Sequence, residues 1–164
     1  MNKKITTLIQ RYQLQPHPEG GYYHEVYRAD EQITSERFQQ THCASTSIYY
    51  LLVAKQHSAF HRLGSDEIFH FYQGTTALKI HIIDTQGKLQ TKLLGIDNDD
   101  QQPQLMIPQN CWFAAELSKQ SDDDYVLSGC TVAPGFEFED FELAKRAELI
   151  GRYPQHEKII GQLT

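Results

Sequence analysis

The segment from His61 to Gly74 holds the residue types that could do chemistry, because it places an imidazole and a carboxylate six residues apart. Glu67 begins a run with the alternating pattern of a β-strand, so Glu67 and Phe69 should lie on one face and His70 on the other. His61, on the preceding strand, is expected to point into the same interior as Glu67. A buried carboxylate beside an imidazole holds the ring in one tautomer and tunes the pKa of each group, as general acid/base catalysis requires.

The predicted catalytic set consists of three residues. His61 is the base, Glu67 orients it, and Tyr49 is the acid. Two tyrosine pairs, at 22–23 and 49–50, lie on predicted strands, and one phenol of each pair should face the interior as a proton donor or as packing. Tyr49 and Tyr22 are the predicted interior members. The same residues are also compatible with a buried polar pair that performs no chemistry.

The predicted ligand-binding residues are His70, Phe69, Phe113, Tyr22 and Arg62. Arg62 directly follows His61, so its side chain should point the opposite way, towards solvent or a partner subunit. A lone arginine of this kind is usually a surface ion-pair residue, and binding of an anionic substrate is the less favoured role.

The composition fits an ordered globular protein and argues against several functions. Residues 1–164 suffice for one domain with its own core, and hydrophobic residues make up 40% of them. A net charge of −6 argues against a nucleic-acid partner, because such proteins carry a basic stripe. No apolar run is long enough to predict a membrane span. Three cysteines without a C-x-x-C pair favour a reducing cytoplasm as the location.

Turn signals divide the chain into many short strands between two helical ends. An amphipathic helix is predicted over about 2–13, because apolar residues recur there with helical spacing. Helical patterns return over 141–150 and 156–162. The predicted strands are 21–29, 46–54, 58–62, 67–73, 76–84, 88–95, 104–107, 111–117 and 125–133. Many short strands without intervening helices indicate an all-β sandwich or barrel.

Two motifs in the chain resemble those of the cupin superfamily. His61, Glu67 and Gly74 occupy three of the four fixed positions of H-x-H-x3-E-x6-G, and Leu63 stands at the second histidine. The second motif, G-x5-P-x-G-x2-H-x3-N, has its best match around Phe113, which replaces the histidine. In metal-dependent cupins these histidines and the glutamate bind a divalent ion.

With its flanking segments, 17–23 and 132–136, the chain resembles the cupin family-five group, which is RmlC-like. The resemblance covers nearly the whole chain. It implies a double-stranded β-helix, the cupin jelly roll, with a short N-terminal helix, a C-terminal helical segment and a cavity of small-molecule size. We expect a homodimer, because the family is usually dimeric and strand 46–54 has too little polar alternation to face water.

The metal site that the resemblance implies lacks two of its ligands. Zinc-type sites need three or four protein ligands, and the side chains of Leu63 and Phe113 cannot coordinate a metal. We therefore expect no cofactor. The weaker alternative is a divalent metal held by His61, Glu67 and His70, which would need a β-bulge to turn His70 inward.

The preferred function is binding of a small polar metabolite, such as a sugar derivative, with acid/base isomerase or epimerase activity. Similarity to sugar-nucleotide 3,5-epimerases supports this reaction type by analogy of fold alone. One alternative is a sensor or storage protein that binds a ligand without turnover, and another is a metal-dependent cupin enzyme. The sequence does not separate catalysis from binding.

Overall fold

The computed structural model describes residues 2–34, 38 and 40–164. The helices in this part of the chain are α1 (Lys3–Arg11), α2 (Arg146–Arg152) and α3 (Glu157–Gln162), with 3-10 turns at Phe138–Asp140 and Pro154–His156. The strands are β1 (Gln15–Pro16), β2 (Tyr22–Arg28), β3 (Gln32–Ile33), β4 (His42–Cys43), β5 (Thr46–Val53), β6 (His57–Arg62), β7 (Asp66–Gly74), β8 (Leu78–Ile83), β9 (Leu89–Leu94), β10 (Gln101–Gln102), β11 (Gln104–Ile107), β12 (Trp112–Leu117), β13 (Tyr125–Ala133) and β14 (Glu142–Leu143). The longer strands match the predicted segments.

The strands form two six-stranded sheets and a small β3–β4 ribbon. The first sheet has the order β1-β2-β5-β13-β7-β11, and the second has the order β10-β9-β8-β12-β6-β14. All pairings within the sheets are antiparallel except that between β9 and β10. Strands distant in sequence are neighbours in both sheets, as in a jelly roll. The predicted all-β jelly roll with short helices at its ends is thereby confirmed.

A shared hydrophobic core packs between the two sheets. The first sheet contributes Tyr50 and Phe69 to it, and the second contributes Ile80 and Phe113. Phe113 lies opposite His61 across the β12–β6 pairing, so the two side chains share the interior face. The core therefore extends up to the strand that carries the candidate imidazole.

Helices cover part of the outer face of each sheet. Ile5 and Leu8 of α1 pack with Leu51 and Val53 of β5 on the outside of the first sheet. At the other end of the chain, α2 and α3 pack against the outside of the second sheet. This explains why β5 lacks polar alternation, since both of its faces are buried within one chain. The homodimer expected from that strand stays a prediction.

The C-terminal helical segment begins later than its sequence pattern predicts. The pattern starts at residue 141, but Glu142–Leu143 pairs with β6 as β14, and α2 begins only at Arg146. The hydrophobic spacing over these residues is produced by a strand followed by a helix. No helix among the described residues is long and apolar enough to cross a membrane.

Candidate functional site

A cavity of about 340 Å³ opens beside the interior core. Its walls come from β2, β5, β6, β7 and β13, from the turn before β2, and from the segment after β13. The lining residues are Gln15, His17, Glu19, Tyr23, His24, Glu25, Arg28, Thr46, Ile48, Tyr50, His61, Leu63, Glu67, Cys130, Val132, Phe136, Phe138 and Phe141. The predicted pair of His61 and Glu67 is thus found in one cavity, and several other ionisable groups join it.

Glu19 reaches this cavity from the turn before β2. Two glycines in the turn allow its backbone to approach the sheets closely. Gly20 has φ +111°, and a Cβ there would lie 2.1 Å from the carbonyl oxygen of His57. Gly21 has φ +74°, and its Cβ would lie 2.8 Å from the hydroxyl of Tyr50. Residues that carry a side chain rarely adopt such φ values, so glycine is needed at both positions. The Tyr50 hydroxyl donates to the Gly20 carbonyl at 2.8 Å and holds the turn in place.

Glu19 and His61 form a buried hydrogen-bonded pair at the cavity wall. The Nε2 atom of His61 lies 3.0 Å from Oε2 of Glu19, and its Nδ1 atom lies 2.7 Å from the carbonyl oxygen of Ala59. Oε1 of Glu19 accepts a hydrogen bond from the Ser58 hydroxyl at 3.0 Å. The rings of Phe113 and Phe141 contact His61 with centroid distances of 4.0 and 5.4 Å. The imidazole is therefore fixed in position and orientation.

The hydrogen bonds of His61 define where its protons lie. A carbonyl oxygen only accepts, so Nδ1 donates its proton to Ala59. Burial lowers the pKa of His61 to about 4 and raises the pKa of Glu19 above its usual range. Near neutral pH the imidazole is thus uncharged. Because its proton is on Nδ1, Nε2 can only accept, so the hydrogen bond between the pair is donated by Glu19. A carboxyl and an imidazole thus share one proton, an arrangement typical of general acid/base catalysis.

Glu67 is a second buried carboxyl at the cavity, and one of its oxygens is unpaired. The residue is 7% exposed, and its Oε2 atom has no hydrogen-bond partner among the described residues. Burial raises the pKa of Glu67 to about 8, although hydrogen bonding with Cys130 opposes the shift. Glu67 is therefore a neutral carboxylic acid near pH 7.

His17 adds a second imidazole beside the pair. Its Nδ1 atom accepts a hydrogen bond from the backbone N–H of Glu19 at 3.3 Å, so the proton of the neutral ring lies on Nε2. Nδ1 is also 3.6 Å from Oε2 of Glu19. Burial lowers the pKa of His17 against the opposing effect of Glu19. Tyr23 packs edge-on against the ring with centroids 4.6 Å apart.

An aromatic strap, defined as residues 136–142, closes one side of the cavity. Phe136, Phe138 and Phe141 line the cavity and pack against one another at steep angles, with centroids 5.0 to 6.4 Å apart. Three acidic side chains of the strap are held by basic residues of the sheets and the ribbon. These pairs are Arg28–Glu137 at 2.6 Å, Arg62–Glu142 at 2.6 Å and His42–Asp140 in short contact.

Comparison with known proteins decides the family. The family model of Cupin_5 (DUF985), a family of the cupin superfamily, matches residues 6–144. The chain belongs to this cupin family. The resemblance found in the sequence motifs is thereby confirmed, and comparison with curated proteins gives no match.

Two solved structures are similar to this cupin over almost their whole length. A protein from Shewanella oneidensis has 34% identity and a TM-score of 0.87, covering 100% of this chain and 98% of that one. A hypothetical protein from Leishmania major has 33% identity and a TM-score of 0.90, covering 99% of both chains. Oxalate decarboxylase from Bacillus subtilis has 13% identity and a TM-score of 0.55 over 91% of this chain and 36% of its own, which shows a shared fold alone.

The structure corrects the partner predicted for His61 in this cupin. The carboxylate that contacts the imidazole belongs to Glu19, whereas Glu67 was expected to orient it. Glu67 does face the same cavity, on the strand predicted for it. Glu19 comes from a turn about forty residues earlier, and motif spacing carries no information about such a contact.

The tyrosine pairs each place one ring inside, but the predicted members are wrong. Tyr23 and Tyr50 are paired across β2 and β5 and line the cavity. Tyr49 points outwards, where its ring contacts Tyr12 of the segment after α1 at 4.8 Å. Tyr22 also packs in the cluster beneath α1. The apolar outer face created by α1 made the two strand faces indistinguishable by sequence.

The other predicted ligand-binding residues lie outside the cavity lining. His70 is on the outer face of the first sheet, where it contacts Thr131 at 3.1 Å and Gln104 at 2.8 Å. Phe69 and Phe113 are buried in the core behind the cavity, and Phe113 supports the His61 ring from there.

Arg62 has the predicted outward direction and no place in the cavity. Its guanidinium binds Glu142 and lies over the ring of Trp112, 4.8 Å from the centroid. Its side chain therefore holds the aromatic strap and lies outside the cavity in which ligand binding was expected.

The residues present do not fit the metal site of metal-dependent cupins. Leu63 and Phe113 occupy two ligand positions, and the ring of Phe113 lies against His61. The proposed third ligand, His70, is on the opposite face of β7 from Glu67, so this alternative set is not assembled. No group of three or more histidine, cysteine or acidic side chains with metal-binding geometry occurs among the described residues.

His17, Glu19 and Tyr50 line the cavity although they were not predicted as site residues. One signal was available, because the Pro-His-Pro-Glu-Gly-Gly run places ionisable side chains in a turn that two glycines allow to pack closely. The contact of this turn with β5 and β6 is long-range. It therefore becomes visible only in the folded chain.

Proposed function

We propose that this cupin binds a small, uncharged polar metabolite in the cavity and isomerises it by proton transfer through the Glu19–His61 pair. The observation that carries the proposal is the 3.0 Å contact between Oε2 of Glu19 and Nε2 of His61 at the wall of the cavity. The pair holds one proton between two basic atoms and is shielded from bulk water. The pair can take up or release a proton without a cofactor.

An isomerisation by this pair requires no oxidant or reductant. A C–H bond of the ligand breaks, and its proton passes to the Glu19–His61 pair, which then holds two protons. The released electron pair stays on the ligand as an enolate or an equivalent anion. Return of a proton to another carbon, or to the opposite face of the same carbon, gives the isomer and restores the pair.

The charges at the cavity favour an uncharged ligand. Arg28 is the cationic side chain among the lining residues, and both Glu25 and Glu137 already bind it at 2.9 and 2.6 Å. Burial raises the pKa of both buried carboxyls, Glu19 and Glu67, and that of Glu67 to about 8, which disfavours negative charge in the cavity. Among the described residues that line the cavity, no unpaired arginine or lysine is therefore left to bind an anion. Aromatic rings and hydroxyl acceptors suit a polyol or sugar derivative.

The test begins with native mass spectrometry of protein purified from its own host, which we expect to show a retained small molecule. Glu19→Gln should weaken retention of that molecule by about tenfold or more, because it removes the proton shared with His61. His81→Asn is the matched control. His81 forms a similar buried pair with Glu116 at 3.3 Å, but it lies outside the cavity. Equal retention by wild type and Glu19→Gln would contradict the assignment of the site.

Proton transfer is tested on the same molecule in deuterium oxide. Wild-type protein should exchange a carbon-bound hydrogen of the ligand, detected by NMR. Glu19→Gln should slow the exchange by about 10²-fold or more, the usual contribution of a general acid/base group. His81→Asn should exchange at the wild-type rate.

Binding without turnover is the second candidate, and one observation favours it. Both nitrogens of His61 are already satisfied by Glu19 and the Ala59 carbonyl, as expected for a purely structural pair. Retention of a ligand without any hydrogen exchange would identify a sensor or storage cupin.

We also propose that the chain forms a homodimer. Apolar side chains remain exposed on the outer face of the first sheet beyond the reach of α1, namely Ile68, Met106 and Tyr72. Burying such a patch against a second copy removes apolar surface from water. Multi-angle light scattering at micromolar concentration should give twice the mass of the chain, and a monomer would contradict the proposal.

A further inference from the structure

We propose that Glu67 is a carboxylic-acid hydrogen-bond donor that holds the carbonyl oxygen of the ligand, so that the substrate class is an uncharged carbonyl compound. The inference rests on the proposed function, because it concerns the same cavity. It identifies the group that stabilises negative charge on the carbonyl oxygen, a role that the Glu19–His61 pair does not fill.

Glu67 is placed in the cavity wall with one oxygen that lacks a hydrogen-bond partner within the part of the chain that the structure describes. The side chain is 7% exposed, lines the cavity, and has an oxygen, Oε2, without a partner among the described residues. A buried polar atom left unpaired costs free energy, and such atoms are rare in folded proteins. Because the side chain lines the cavity, we assign the missing hydrogen-bond partner of Oε2 to the ligand.

The surroundings of Glu67 determine whether it donates or accepts. Cys130 on β13 is its titratable neighbour in the sheet, and the other titratable groups that line the cavity are His17, Glu19, Tyr23, His24, Glu25, Arg28, Tyr50 and His61. On its other side, β11 (Gln104–Ile107) contains no titratable side chain. Arg28 is the permanent cation among the groups that line the cavity, and it is paired with Glu25 and Glu137. Burial accordingly raises the pKa of Glu67 to about 8, and the group carries a proton to donate.

Two other buried O–H donors of the cavity are already used. The Tyr50 hydroxyl donates to the Gly20 carbonyl at 2.8 Å, and the proton of Glu19 is donated to His61. Glu67 is thus the buried acid free to bind an acceptor atom of the ligand. A neutral carboxylic acid in an apolar site is an effective donor to a carbonyl oxygen on which negative charge develops.

The donor and the base act on two ends of one functional group. When the C–H bond beside the carbonyl breaks, the proton goes to the Glu19–His61 pair and the electron pair forms the C=C bond of the enolate. The carbonyl oxygen takes the negative charge and keeps its hydrogen bond from Glu67. Reprotonation at carbon reverses these changes, so no proton or electron is left over.

The test compares two uncharged probes of the same size, hydroxyacetone and 1,2-propanediol, which differ in the carbonyl group. Dissociation constants are measured by NMR titration at pH 6 and pH 9.5. Hydroxyacetone should bind wild-type protein about tenfold or more weakly at pH 9.5, because Glu67 has then lost its proton. Binding of 1,2-propanediol should change by less than about twofold.

Variants of Glu67 make the comparison specific. Glu67→Gln keeps a donor that does not titrate, so its affinity for hydroxyacetone should be the same at both pH values. Glu67→Leu removes the donor and should abolish the preference for the ketone over the diol. His81→Asn should behave as wild type at both pH values, since His81 lies outside the cavity.

Three outcomes would overturn the inference. The first is that hydroxyacetone does not bind at pH 6. The second is that its binding to the wild type does not weaken at pH 9.5. The third is that choline binds better than its neutral isostere 3,3-dimethyl-1-butanol. The last would identify Glu67 as a carboxylate for organic cations. Failure of the proposed function is separate: ketone binding that depends on Glu67, without hydrogen exchange in deuterium oxide, would leave this inference standing and remove proton transfer.

Discussion

Replacement of Phe69 by alanine is expected to lower the free energy of unfolding by about 3–5 kcal/mol. The side chain is 2% exposed and packs edge-on against Phe113, with ring centroids 6.2 Å apart, in the core between the two sheets. Truncation leaves a cavity that the rigid strands on either side cannot fill. The melting temperature should fall by roughly 10 °C for a chain of this size.

A phenylalanine with one side in solvent provides the matched control. Phe138 lies on the aromatic strap and is 53% exposed, so Phe138→Ala should cost about 1 kcal/mol or less. Both variants are measured by urea unfolding at pH 6, together with Glu67→Gln on the same strand as Phe69. If Phe69→Ala is no more destabilised than Phe138→Ala, the position of the core beside the cavity is wrong.

The strands could be predicted from the sequence because their signals are local. Alternation of apolar residues and turn signals such as Gly74 and Gly87 depend on neighbours within a few positions, and they located the longer strands within about two residues. The two-residue strand β14 was missed because it pairs only with β6, about eighty residues earlier in the chain. The hydrophobic spacing of β14 was therefore assigned to the following helix.

The choice of strand face could not be predicted where both faces are buried. Tyr49 and Tyr50 on β5 follow each other in a run of apolar residues, because α1 covers one face and the core covers the other. Alternation distinguishes the faces only if one of them meets water. The predicted interior tyrosine was for this reason the wrong member of the pair.

The candidate site was predicted in part, and the missing part is the long-range one. His61 and Glu67 belong to one motif on two strands that are consecutive in sequence, so their spacing predicted a shared cavity. Glu19 enters from a turn that must pack on β5 and β6, and this depends on the whole fold. Motif spacing thus located the cavity but gave His61 the wrong carboxylate.

The stability of the protein is expected to fall by about 2 kcal/mol as pH rises from 6.5 to 8, and Glu67 is the reason. The folded state raises the pKa of this carboxyl from its usual 4.5 to about 8, so it binds the proton more tightly than the unfolded chain does. Stability from Glu67 is therefore present at low pH and is lost as pH rises through this interval. His61 acts in the opposite sense, because burial lowers its pKa from 6.5 to about 4 and stability falls as pH drops below 6.5. The two effects oppose each other at acid pH, which leaves the decline visible above pH 6.5.

Glu67→Gln isolates this contribution, because the amide has the same shape and does not titrate. Near pH 4.5 the variant and the wild type should have similar free energies of unfolding, whereas at pH 9 the variant should be the more stable by about 3–5 kcal/mol. Urea unfolding at intervals of one pH unit measures the difference, and Glu142→Gln, an exposed carboxyl paired with Arg62, serves as the control. Parallel curves for wild type and Glu67→Gln across the whole range would show that Glu67 is already ionised in the folded cavity. Glu67 could then donate no hydrogen bond to a ligand, since an ionised carboxylate only accepts.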